Sequence, residues 1–148
     1  VSGSRSGARG QSLTEFALLL PILIILVMAI FDFGRALFYM NTVSEAAKTG
    51  SRIAMVNQDG PFICKTVAEG AVGLNLPTDC VTVGTPGVTH QVAPECPALD
   101  CEQTVIVSFA FQPIMPVLGG LVGPVEVTSR STVHVERVCP GPCPTAAP

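Results

Sequence analysis

The sequence predicts an α+β protein. A long N-terminal transmembrane helix should project from the membrane, followed by a small domain with a short helix and an antiparallel sheet. Three observations predict this. Residues 16–31 are all apolar and carry no charge. Helical spacing then runs on from Phe33 to about Gln58. Later, residues 104–111 place Val105, Val107, Phe109 and Phe111 on one face of a strand, and residues 125–138 alternate apolar and polar side chains, as a half-buried antiparallel strand does.

The chain has 148 residues, 48% of them hydrophobic and 13% charged, against about 25% charged in an average soluble domain. Much of the apolar excess lies in residues 16–31, so composition reports one modest domain plus an anchor. The net charge is -3. Basic residues are not clustered as a nucleic-acid footprint requires, so no nucleic-acid partner is expected.

Residues 1–10 (VSGSRSGARG) are small, flexible and basic, without apolar periodicity, and read as a disordered leader. Residues 11–33 read as the transmembrane helix. The uncharged run is slightly shorter than the roughly 20 residues that span hydrocarbon, but Leu13 and Phe33 extend it. Pro21 is tolerated in such a helix and should kink it. Residues 34–58 read as the extracytoplasmic continuation. Phe33, Ala36, Met40, Val43, Ala47, Gly50 and Ala54 form one apolar stripe, with Glu45, Lys48 and Arg52 on another face. Asp59-Gly60-Pro61 should stop the helix. Ala46, Gly50 and Ala54 recur at four-residue steps and allow close approach, either to the chain's own sheet or to another subunit's helix.

Residues 59–148 read as the outer domain. A short helix is expected over 62–74, with Ile63, Val67, Ala71 and Leu74 on one side. Strands are expected at 81–83, 88–92, 104–111 and 125–138. Between the last two lies an apolar link rich in Pro and Gly. Its Ile114, Met115, Val117, Leu118, Leu121 and Val122 are either a partner or membrane surface, or are folded over the sheet. The tail CPGPCPTAAP reads as a solvated end.

All six cysteines follow the apolar run: Cys64, Cys80, Cys96, Cys101, Cys139 and Cys143. An even number beyond a membrane span reads as a disulfide set in an oxidising compartment, with the pairing open. The rival is a zinc site of Cys96, Cys101, Cys139 and Cys143, whose spacings zinc accepts. Prolines beside both pairs and the oxidising compartment favour disulfides, so no metal and no cofactor is expected.

The informative stretch is RGQSLTEFALLLP. A secretory signal peptide would share the basic start and apolar core, but its possible cleavage site at Gly34-Arg35-Ala36 lies inside the helical pattern. Neither a signal peptide nor a plain anchor accounts for Glu15. A carboxylate at the edge of an apolar run is costly unless paired. Cleavage between Gly10 and Gln11 would make Gln11 the new terminus. In a bundle of such chains, the terminal ammonium of a neighbour is the natural partner of Glu15. That ion pair would set axial register between featureless apolar helices. Cyclisation of an N-terminal Gln11 would remove the charge and weaken the pair.

Gly10, Glu15, Phe16, Ala17, Pro21, the run to Ile30, Phe31-Asp32-Phe33-Gly34 and the small-residue helix that follows resemble the TadE-like pseudopilins of tight-adherence (Flp-type) pilus systems. The strand pattern around the apolar link is similar to that family's outer domain, though less specifically. The resemblance implies a minor pseudopilin or pilus-assembly component that supports surface adherence. It implies a prepilin peptidase as processing partner, with Glu15 and Phe16 as the assembly and processing motif. Further implied partners are other pilins or pseudopilins, inner-membrane platform proteins and the lipid bilayer. It implies a single-pass protein of the bacterial inner membrane, with the outer domain periplasmic or extracellular, possible association with a pilus included. Arg5 and Arg9 on the leader side agree with a cytoplasmic leader. The size argues against a main fibre subunit, since those are little more than leader and helix. The cysteines do not come with the resemblance.

No catalytic constellation is visible, and an enzyme is not expected. His134 falls on the polar face of a strand, and His90 sits among turn residues. TSRST lies in a strand and lacks a nucleophile-elbow context. GGLVG has neither the Lys nor the strand–helix setting of a phosphate loop. The cysteine spacings are not those of thiol oxidoreductases. Two other readings stay open: an unprocessed, membrane-anchored extracytoplasmic binding module, and an anchored thiol or zinc protein.

Overall fold

The computed structural model describes residues 7–93, 100–114, 120 and 123–138, with the backbone alone described for 7–10. The elements in order are α1 (Gly7–Ala54), α2 (Gly60–Gly70), β1 (Gly87–Val92), β2 (Glu102–Phe111) and β3 (Val125–His134). The strands form one antiparallel sheet with β2 in the middle. The class is therefore α+β, with a long apolar helix ahead of a small domain.

α1 is a single helix of 48 residues that passes through Pro21 without interruption. At ~1.5 Å per residue it is about 72 Å long. Its start differs from expectation: Gly7 to Gly10 are helical rather than disordered. Once a helix is nucleated, each added residue gains a hydrogen bond, so a long helix carries weak helix formers at its end. Residues 1–6 lie outside the described residues. The far end also differs. α1 closes at Ala54, and Asp59-Gly60-Pro61 starts the next helix rather than stopping this one. Asp59 is the N-cap of α2 and Pro61 occupies its first turn, where a missing N–H leaves no helical bond unmade.

Ile63, Val67, Ala71 and Leu74 are all buried as expected, but the helix expected over 62–74 ends at Gly70, with Ala71 as its C-cap, so Leu74 packs from the turn that follows. The sheet follows the expected alternation at β3. The expected strand at 81–83 is absent. Residue 81 bonds only to β1, through Val81 N–H to the Val88 carbonyl and Thr89 Oγ1 to the Val81 carbonyl, both at 2.9 Å. A tight turn explains this: Thr85 N–H bonds the Thr82 carbonyl, and Gly84 has φ +88°, so the segment reverses before a ladder can form. His90 lies in β1, not in a turn, with Nε2 2.9 Å from Gln103 Oε1.

The sheet packs along the upper half of α1. Tyr39 stacks on Phe109 and Phe111 at 4.9 and 5.7 Å between centroids. Higher up, Ser131 Oγ donates to Ser51 Oγ at 2.9 Å. At the top, the N–H groups of Glu136 and Arg137 both reach the Met55 carbonyl at 3.2 Å, and Gln58 Nε2 donates to the Arg137 carbonyl at 2.9 Å. The buried core joins Val43, Ala47 and Ala54 of α1 to Ile63 and Val67 of α2 and to Val88, Val105 and Val107 of the sheet. The lower end of the expected stripe is shifted. Phe33 and Met40 are exposed, while Asp32 is buried and Arg35 and Tyr39 are half-buried. The polar members of that face contact one another against β2, which an apolar count misses.

Small residues on α1 serve contact with the chain's own domain. A Cβ on Gly50 would meet Val105 Cγ1 and Val67 Cγ2, each at 2.8 Å. Both are stiff branched side chains in the core. Cys64 and Cys80 form a disulfide across a separation of 16 residues. Cys101 is also disulfide-bonded, so it is not available as the zinc thiolate of the rival reading. Cys96, Cys139 and Cys143 lie outside the described residues, as do Met115, Val117, Leu118, Leu121 and Val122 of the link and the tail from residue 139.

Three outcomes follow for the full chain in detergent. Gly50→Ala should lower unfolding stability by about 1–3 kcal/mol through overpacking, against the helix-propensity gain of ~1 kcal/mol. Gly34→Ala, where nothing lies within 4 Å of the added Cβ, should be neutral or stabilising in the same thermal melts. Replacing Cys64 and Cys80 together with Ala should cost about 3 kcal/mol by loosening the unfolded chain's constraint, read from urea midpoints under non-reducing conditions.

Candidate functional site

The motif residues Gly10, Gln11, Glu15 and Phe16 sit on the first turns of α1, far from the sheet. The Gly10–Gln11 bond is inside the helix. Gly at positions 7 and 10 weakens that turn, by roughly 1 kcal/mol each relative to Ala, so local opening there is inexpensive. Thr14 Oγ1 donates to the Gln11 carbonyl at 2.7 Å, which gives that carbonyl a partner close by. Glu15 and Phe16 are both exposed, and none of the described residues pairs with Glu15. Every side chain from Gln11 to Leu20 is exposed. Among the described residues this segment has no intramolecular partner surface, as expected of a stretch that meets lipid or another chain.

α1 is the one helix, among the described residues, long and apolar enough to cross a membrane by length and composition. Immediately after its apolar run lies a polar cluster that sequence reading did not single out. Asp32 is 6% exposed. Its Oδ1 accepts from the Ile114 N–H at 3.2 Å and lies 3.7 Å from Arg35 Nη1. Arg35 Nη2 donates to the Tyr39 hydroxyl at 3.2 Å. The guanidinium carbon sits 5.6 Å from the Tyr39 ring centre and 5.8 Å from that of Phe111. The cluster thus binds the end of β2 to α1 where the apolar run ends. A signal was present in the sequence: Asp32, Arg35 and Tyr39 recur at three- and four-residue steps, which puts them on one helix face.

The other candidates are dispersed. His134 is exposed on β3, with Nδ1 3.3 Å from the Asp100 carbonyl and 3.6 Å from its carboxylate. His90 Nε2 lies 2.9 Å from Oε1 of Gln103 on the neighbouring strand β2. An open groove of about 440 Å³ lies between α1 and α2, lined in part by Phe38, Thr42, Glu45, Val67 and Val72. Its one carboxylate, Glu45, is held by Lys48 Nζ at 3.0 Å. Histidine, cysteine and carboxylate groups do not converge on a metal-binding cluster among the described residues.

Residues 10–52 match the family model described as TadE-like protein. The match begins at Gly10 and takes in Glu15, the apolar run, the Asp32 cluster and Gly50. No curated protein matches the chain, and no solved structure does.

The Asp32 cluster has a measurable role. Asp32→Ala leaves the Ile114 N–H without its acceptor and the Arg35 guanidinium without its ion-pair partner, so unfolding stability of the full chain in detergent should fall by about 1–3 kcal/mol. Asp32→Asn keeps an acceptor oxygen and should lose less. Equal losses for both would show that the charge, not the hydrogen bond, matters.

Proposed function

We propose that the chain is a minor pseudopilin or assembly component of a tight-adherence, type IV-like pilus, cut by a prepilin peptidase and supporting surface adherence. The observation that carries this reading is the TadE-like match over residues 10–52. It falls on one uninterrupted helix that joins an exposed apolar segment to a folded outer domain. In this reading the peptidase cuts between Gly10 and Gln11. The apolar part of α1 then stays in the inner membrane or enters the fibre, and the outer domain faces the periplasm or the exterior.

Glu15 supplies the assembly contact. It is exposed in the single chain and lies at the edge of the apolar run. In a low-dielectric helix bundle it would be costly alone and favourable beside the ammonium of a neighbour's new terminus. Pilins, other pseudopilins and platform proteins of the inner membrane are the partners this chemistry suits. The disulfide of the outer domain fits an oxidising compartment beyond the membrane.

Co-expression with a cognate prepilin peptidase, read by intact mass and N-terminal sequencing, tests the proposal. The expected outcome is loss of residues 1–10 with Gln11 as the new terminus, abolished by Gly10→Leu. Glu15→Ala should leave the outer domain folded yet reduce recovery of the chain with assembled pili. Retention of the leader beside an active peptidase would overturn the reading and leave an anchored binding module.

A further inference from the structure

We propose that the base of the outer domain rests on the bilayer itself, with the Ile114 side chain inserted among the lipid headgroups and upper acyl chains. The inference depends on the membrane-spanning reading of α1 given under Proposed function. It adds a second point of membrane contact, made by the chain just beyond β2 rather than by the helix.

The position of Ile114 carries the argument. Its N–H is held by Asp32 Oδ1 at 3.2 Å, and Asp32 is the first residue after the apolar run. Ile114 therefore stands at the height where α1 leaves the hydrocarbon. Its side chain is 62% exposed, and at the same height Phe31 and Phe33 of α1 are 71% and 65% exposed. Apolar residues of α1 and of the chain beyond β2 are thus exposed at the level where the apolar run ends.

The charges at that level are turned inward. Asp32 is buried, with its carboxylate against the Ile114 N–H and Arg35. A carboxylate facing lipid would be costly. Here it is masked, so the base of the domain presents apolar groups rather than an anion. Arg35 and Tyr39 come next along the helix, and these residue types suit the headgroup layer.

Length points the same way. Residues 16–31 cover only about 24 Å of helix at ~1.5 Å per residue, against ~30 Å of hydrocarbon. The deficit must be met at one end. Glu15 resists it at the lower end, whereas Phe33 and Leu37 accept it at the upper end. The bilayer edge is drawn up to the level of Ile114.

The chain contains no Trp, so a single introduced Trp reports its own surroundings. Full-length Ile114→Trp, Ile25→Trp and Val56→Trp would each be reconstituted at low density in phosphatidylcholine vesicles. Half of the vesicles would carry bromine near the headgroup end of the acyl chains. Strong quenching in Ile114→Trp and Ile25→Trp, with none in Val56→Trp at the exposed far end of α1, is the expected result. Quenching in Ile25→Trp without any in Ile114→Trp overturns the inference and leaves the span intact. Absence of quenching in both overturns the spanning reading as well. Protection in Ile114→Trp that follows protein density instead of bromine assigns the surface to a second copy of the chain and also overturns the inference.

Discussion

The pairing of a helix with a strand of matching length is the constraint on which the outer domain depends. β2 runs along α1 in the opposite direction, and the two are pinned at both ends. At the base, Asp32 holds Ile114; at the top, the Met55 carbonyl takes two N–H groups from the chain beyond β3. From Asp32 to Met55 the helix rises about 34 Å, and a strand of the length of β2 covers a similar distance at ~3.4 Å per residue. Intermediate contacts keep the same register, with Tyr39 against Phe109 and Phe111 low down and Gly50 against Val105 higher up. A slip of one residue along β2 would turn Val105 and Val107 away from α1 and set the wrong side chains against Gly50.

This arrangement explains why Gly50 tolerates no side chain while Gly34 has open space around it. The core is widest where α1, α2 and the sheet meet, and there the helix must approach closely. Below that level the aromatic rings of Tyr39, Phe109 and Phe111 fill the gap between helix and strand. The Cys64–Cys80 disulfide then ties α2 to the loop that covers the outer edge of β1. Edges of sheets invite unwanted pairing, and this loop closes one of the two.

Much of the fold was legible because its elements repeat a period. The apolar run, the face of α2 and the alternation of β3 each follow from side-chain spacing alone. The failures share a cause: local signals do not report what tertiary contacts do with them. Asp59-Gly60-Pro61 reads equally well as an ending or a beginning, and the observed N-cap decides it. Residues 81–83 have strand composition but turn too soon to pair. Phe33 and Met40 match the apolar period, yet the domain lies on the neighbouring face, where Asp32, Arg35 and Tyr39 contact one another. In the candidate site, Gly10, Glu15 and Phe16 stood out because a carboxylate beside hydrocarbon needs an explanation. Asp32 needed one equally, but its partner at Ile114 is 82 residues away in sequence, and no local pattern connects them.

The absence of a linker between the span and the outer domain has a mechanical consequence. α1 continues from one into the other as a single rod, so the sheet cannot swivel independently of the segment below it. Transmembrane helices commonly tilt by about 20°. A tilt of that size about Asp32 would carry Met55 sideways by about 12 Å over its ~34 Å arm. Rotation of the span about its own axis would swing the sheet around the rod by the same angle. Whatever grips the exposed apolar part of this helix therefore aims the outer domain as a handle aims a blade.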